Sequence, residues 1–148
     1  MNINFYKVKA LLVSVVLLTG CATKLNYLVG WDKKWKQCDA DAKKSSVQFP
    51  SSKWFESLKI EEQKAVFIYL HNLKQYECTE LETVSLKKVL DEAEIATLES
   101  ILQGFIYFQP PSNEFVKSLD KVELEKLSKE VVMFDLIKVA EELIFKGG

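Results

Sequence analysis

Residues 60–78 read IEEQKAVFIYLHNLKQYEC, and this stretch sets the fold class. Glu61 and Glu62 stand where the positive end of a helix dipole favours acids. Ala65 to Leu70 are six successive apolar residues, and Leu73 and Tyr76 continue them at helical spacing. That apolar arc is too wide for one face, so the pattern predicts a central helix over 60–77 covered on more than one side. Cys78 closes the run.

Upstream, Trp31, Trp35, Cys38 and Ala42 recur at spacings of four, three and four, one stripe of a helix that starts near Gly30 or Asp32 and fades by Ser45-Ser46. Phe49-Pro50-Ser51-Ser52 breaks it, and Trp54, Phe55 and Leu58 open a second apolar cluster. Downstream, Thr79 with Glu82 is a capping-box pattern that predicts a new helix to about Leu90. Asp91 with Glu94 repeats the signal ahead of a stripe through Ile95, Leu98, Ile101 or Leu102, and Phe105, ending near Gly104. Residues 104–111 carry Phe105, Phe108 and two prolines and read as an extended connector. Asn113–Leu119 makes a helical turn or two. Asp120 with Glu123 begins the last and longest helix, to about Phe145. One face of it carries Leu124, Leu127, Val131 and Phe134, and a second carries Val132, Leu136, Val139 and Leu143. The sum is an all-α, single compact domain of about five helices with short connections.

The chain has three cysteines, and two of them, Cys38 and Cys78, fall in the helical region. With one histidine in the chain, a zinc site lacks ligands. In an oxidising compartment the simplest state is one disulfide that staples the two helices. It closes a loop of about 40 residues, worth roughly 3–4 kcal/mol.

The N-terminus supplies that compartment. Lys7 and Lys9 form a positive segment, Ala10–Leu18 an apolar run broken only by Ser14, and Thr19 and Gly20 precede Cys21. The run is about half of the ~20 residues a transmembrane helix needs. Leu18-Thr19-Gly20-Cys21 resembles the lipobox of bacterial prolipoproteins at all four positions, over residues 1–21 only. The resemblance implies a diacylglyceryl thioether on Cys21, cleavage after Gly20, and acylation of the new amino group in many bacteria. Two or three chains anchor stably where one is marginal. Ala22, where the family's inner-membrane retention signal has aspartate, implies the inner leaflet of the outer membrane, facing the periplasm, or the outer face of the membrane in a single-membrane organism. The expected organisation is a cleaved signal helix at 1–20, a lipidated tether at 21–30 and a helical domain at 31–148.

Charge is unevenly placed. Residues 24–59 hold eight lysines against four acids, and residues 60–148 ten lysines against seventeen. The positive part adjoins the anchor, where each lysine near an anionic bilayer contributes on the order of 1 kcal/mol. Trp31, Lys33, Lys34 and Trp35 therefore have two readings, a patch lying on lipid headgroups or ordinary core packing and solvated charge. All 20 basic residues are lysine, which disfavours nucleic acid, because arginine is the residue suited to bidentate phosphate and base recognition.

No Gly-x-Ser-x-Gly elbow, His-Glu-x-x-His pair or phosphate-binding glycine loop appears. His71, flanked by Leu70 and Asn72, reads as a surface or core-edge residue, so neither catalysis, metal nor cofactor is expected. Of the classes that remain, a lipid-anchored envelope protein that binds a protein partner fits best. It is similar in size, anchoring, helicity and single disulfide to pilotins, the small helical lipoproteins that chaperone secretins, although it shares no motif with them. An immunity or exclusion lipoprotein against a toxin, phage or plasmid is the alternative, and an envelope hydrolase the third. A partner is expected on the second stripe of the last helix, Val132, Leu136, Val139 and Leu143, with Phe105 and Phe108 of the connector. That stripe is otherwise buried at the centre of the domain.

Overall fold

The computed structural model describes residues 5–45, 49–50, 52–102 and 108–142, with side chains described from Ala22 onward. The helices are α1 (Phe5–Lys44), α2 (Lys53–Ser57), α3 (Ile60–Lys87), α4 (Glu92–Ile101), α5 (Lys121–Glu130) and α6 (Leu136–Ala140), with a 3-10 turn at Asn113–Val116 before α5. Among the described residues there is no strand, and the chain is a compact all-α domain. No described helix is long and apolar enough to cross a membrane.

α3 organises the rest. Val66, Phe67 and Leu70 are buried on its first half, and Gln75, Thr79, Thr83 and Leu86 on its second. At about 100° per residue, Leu70 and Thr79 point to opposite sides of the helix. The first face meets Phe55 of α2, Val116, Leu124 and Leu127 of α5, Val131, Phe134 and Val139, and with them forms the larger core. Phe49, half-buried, packs against it, edge-on to Phe67 and Phe134 at 4.7 and 5.4 Å. The second face meets α1, which runs antiparallel to α3. Cys38 bonds Cys78, with Cα atoms 6.2 Å apart, and the Trp31 indole N–H donates to Thr83 Oγ1 at 2.9 Å. A smaller core forms there from Trp31, Leu86 and Phe108, with Leu28, Leu90, Leu98 and Leu102 packed on it.

The expected disulfide is present, and the Asp91 start signal works as read: Asp91 accepts from the Glu94 amide and Glu94 from the Asp91 amide, both at 2.9 Å. Three expectations need correction. First, α3 does not stop at Cys78. The capping-box pattern at Thr79 acts only where the preceding residue leaves the helix. Here nothing breaks the chain, and Thr79 instead donates back to the Gln75 carbonyl at 3.1 Å, buried against α1. Second, the last helix is two. Val131 leaves α5 in extended conformation, and Asp135 starts α6 by accepting from the Ile137 and Lys138 amides at 3.0 and 3.2 Å. The interruption turns Val131, Phe134 and Val139 all into the larger core.

Third, the first helix of the domain does not start near Gly30 or Asp32, and residues 22–30 are helical. They belong to α1, because residues 22–29 contain no glycine or proline, Leu28 packs on the smaller core and Lys24 pairs with Glu94 at 2.8 Å. Gly30 is the one weak position in this arm, exposed and helical, and a Cβ added to it meets nothing within 4 Å. Gly30→Ala is therefore expected to stabilise the protein by about 0.5–1 kcal/mol, read as a higher urea midpoint at unchanged slope. No gain, or a loss, contradicts a continuous helix through residue 30.

Candidate functional site

The smaller core clamps the chain that follows α4. Phe108 stacks on Trp31 with ring centroids 4.8 Å apart and planes 17° from parallel. Lys87 Nζ donates to the Phe108 carbonyl at 2.6 Å and lies 5.9 Å from the centre of its ring. Gln109 Nε2 donates to Glu99 Oε1 of α4 at 2.9 Å. Phe108 and Gln109 are thus tied to α1, α3 and α4 together. Pro110 and Pro111 follow with φ fixed by their rings, so the backbone leaving the clamp has little freedom.

This arrangement walls an open groove of about 710 Å³ between the middle of α3, the end of α4 and the chain from Phe108 to Phe115. Ile68, Tyr69 and Asn72 form the α3 wall, Glu99 and Ser100 the α4 wall, and Pro110, Pro111 and Phe115 the third side. Its volume lies within the range typical of ligand sites. Ile68 is 48% exposed and Phe115 77% exposed, so two large apolar side chains meet water at its edges. Burial pushes the Tyr69 hydroxyl pKa up, and the Glu77 carboxylate adds to the shift, so this phenol is a neutral hydrogen-bonding group at physiological pH.

Of the residues expected to bind a partner, the four described ones form no shared surface. Phe108 and Val139 are buried in different cores, Leu136 is half-buried against the larger one, and Val132 is exposed. Phe105 and Leu143 lie outside the described residues. The break at residues 131–135 is the reason, since a stripe read across it assumes one continuous helix. The membrane-facing reading is corrected at Trp31, in favour of core packing. Trp31 is 3% exposed, because its indole N–H finds a partner in Thr83 and its ring a partner in Phe108. Trp35 and Lys34 are half-buried, and Lys33 is exposed.

Ile68 and Phe115 escaped the periodicity. Six consecutive apolar residues cannot all face one core at 3.6 residues per turn, and that surplus was the signal for Ile68. Phe115, in a turn between two prolines and a helix cap, belongs to no stripe.

His71 is half-buried, its ring edge-on to Phe134 at 5.7 Å. Burial lowers its pKa, while a hydrogen bond from the ring to the Phe134 main chain and the carboxylates of Asp39 and Asp135 oppose the shift. Among the described residues no three His, Cys, Asp or Glu side chains are grouped to hold a metal ion.

The chain matches no protein-family model, no curated protein and no solved structure.

The His71 environment has a measurable consequence. A histidine whose folded pKa is depressed favours the neutral ring, so the unfolded chain takes up its proton first as pH falls. Stability is then lost from about pH 6.5 downward, through the folded pKa. Urea unfolding at about pH 7.5 and about pH 5 is expected to show a larger acid loss for the native protein than for His71→Gln. Equal losses would contradict a histidine held neutral by burial.

Proposed function

We propose that the chain is a non-enzymatic, lipid-anchored envelope protein that captures a protein partner in the groove between α3, α4 and residues 108–115. The reading unites the lipobox at Leu18–Cys21 with the groove. Cys21 carries the lipid, the signal segment is removed, and the domain faces the periplasm from the outer membrane, or stands on the outer face where there is one membrane. The observation that supports partner binding best is the pairing of exposed Ile68 and Phe115 with a rigid support. Phe108, buried directly beside the groove, is held by Trp31 and Lys87. Exposed aromatic and aliphatic side chains on a fixed frame are the anchors that dominate protein recognition, because little conformational entropy is lost on contact. Polar groups along the walls, Asn72, Ser100 and Ser112, supply hydrogen-bonding positions for a bound main chain.

The role is that of an assembly factor, pilotin-like by analogy of size, anchor and helicity. The helical arm matters to it. α1 carries the chain from position 21 into the domain without a flexible linker, so the groove works at a set height above the bilayer. At 1.5 Å per residue, Trp31 stands about 15 Å along the helix from Cys21.

A charge introduced at the groove tests this. Phe115→Glu is expected to lower recovery of the crosslinked partner from intact cells by roughly tenfold or more. Leu81→Glu, at a position 79% exposed and outside the groove, is expected to leave recovery unchanged. Both variants should keep native circular dichroism and lipidation. Full recovery with Phe115→Glu would contradict partner capture at this groove.

A further inference from the structure

A second groove lies at the anchor end of the domain. The seam of α1 that faces α3 runs through positions 28, 31, 35, 38 and 42, of which Trp31, Cys38 and Ala42 are buried. Followed toward the N-terminus, this seam outruns α3, which ends at Lys87 and turns into α4. Leu25 and Leu28 there face Leu90 of the turn and Ala93 and Leu98 of α4 across an open groove of about 550 Å³. Leu25 is 59% exposed beside it. Four polar side chains line it, and each has a partner: Lys24 Nζ lies 2.8 Å from both oxygens of Glu94, Asp91 accepts from the Glu94 amide at 2.9 Å, and the Thr97 hydroxyl donates to the Ala93 carbonyl at 2.8 Å. The hydrogen bond from Lys24, with a second from the Asp91 amide, holds the Glu94 carboxyl pKa below its ordinary value. The rest of the wall is hydrocarbon.

Helical register supplies the occupant. Positions 21, 24, 25 and 28 are related as i, i+3, i+4 and i+7, so they lie on one stripe of α1. Position 21 is thus one turn before Leu25 on the stripe that lines the groove. We propose that this groove receives the first methylenes of an acyl chain carried by Cys21 itself, the rest of the chain continuing into the bilayer. The inference rests on the lipidation of Cys21 proposed above. A saturated chain matches a mostly apolar wall whose polar side chains already have hydrogen-bond partners, and it covers leucines that otherwise face water. The contact fixes the rotation of the domain about its anchor, with α4 laid toward the membrane and the partner groove held in one direction. A free fatty acid, a detergent or an apolar peptide fits the same wall chemistry but has no covalent link to position 21.

The test uses the full chain in living cells fed a fatty acid with a diazirine in its carboxyl-proximal third. After irradiation, the lipoprotein is purified and its internal adducts are mapped by mass spectrometry. Adducts on residues 90–98 are expected. In Ala93→Asp, which keeps an acid-tolerant position in the first turn of α4, they are expected to fall by about tenfold while labelling of Cys21 stays constant. Labelled Cys21 with adducts only on bilayer lipids, or only on residues 22–25, overturns the groove contact and leaves lipidation standing. The same holds if Ala93→Asp does not lower the adducts. A protein that takes up no label at all overturns both, since there is then no chain to occupy the groove.

Discussion

The seam between α1 and α3 depends on one covalent link. Where other helix pairs interlock large apolar side chains, this one places Cys38, Ala42, Gln75, Thr79 and Thr83 at its middle, all of them buried. Small and polar residues bury little hydrocarbon. Gln75 Oε1 is enclosed there with no hydrogen-bond partner among the described residues, which costs about 1–3 kcal/mol. The Cys38–Cys78 bond closes a 40-residue loop, worth about 4 kcal/mol in the chain-entropy account, and so exceeds that cost. The seam is therefore stable where thiols oxidise and weak where they do not.

Everything beyond the seam inherits its geometry. The larger core holds the first half of α3 to α2, α5 and α6 and makes no demand on α1. The smaller core is different. Trp31 reaches it because α1 is fixed against α3, and Phe108 is seated on the Trp31 ring, with Lys87 on its carbonyl. The groove lined by Ile68, Phe115 and the two prolines is shaped by that seat. A chain of physical dependence thus runs from the disulfide through one tryptophan to the proposed working surface. Breaking it at Cys38 is expected to loosen the groove without unfolding the larger core.

The parts of the fold legible in the sequence were those set by local chemistry. Six apolar residues after two acids made a central helix, Asp91 with Glu94 made a helix start, and two cysteines in a small domain with one histidine made a disulfide. The parts that were not legible were set by competition. Thr79 and Glu82 carry a start signal that loses to continuous helix, because burial against α1 rewards Thr79 for staying inside. Asp135 carries a start signal that wins, yet it sat inside a run whose apolar periodicity suggested no break. Residues 22–30 show little periodicity, and their helix comes from Leu28 and Lys24 meeting partners about 70 residues away in sequence. Of the groove, the surplus of apolar residues around Ile68 and the connector residue Phe108 were visible, but not their meeting, since the site is made by bringing three non-adjacent segments together.

The central claim is that residue 21 joins the domain through a rigid helix bolted to α3, not through a loose linker. Amide hydrogen exchange over residues 24–44, measured on the protein purified from its membrane fraction or in solution before and after reduction, tests it most directly. Slow exchange continuing without a step from residue 44 back to residue 24, and a marked acceleration of this whole segment on reduction while residues 66–70 stay protected, is the expected result. Exchange at the unstructured rate over residues 24–30 in the oxidised protein would contradict it.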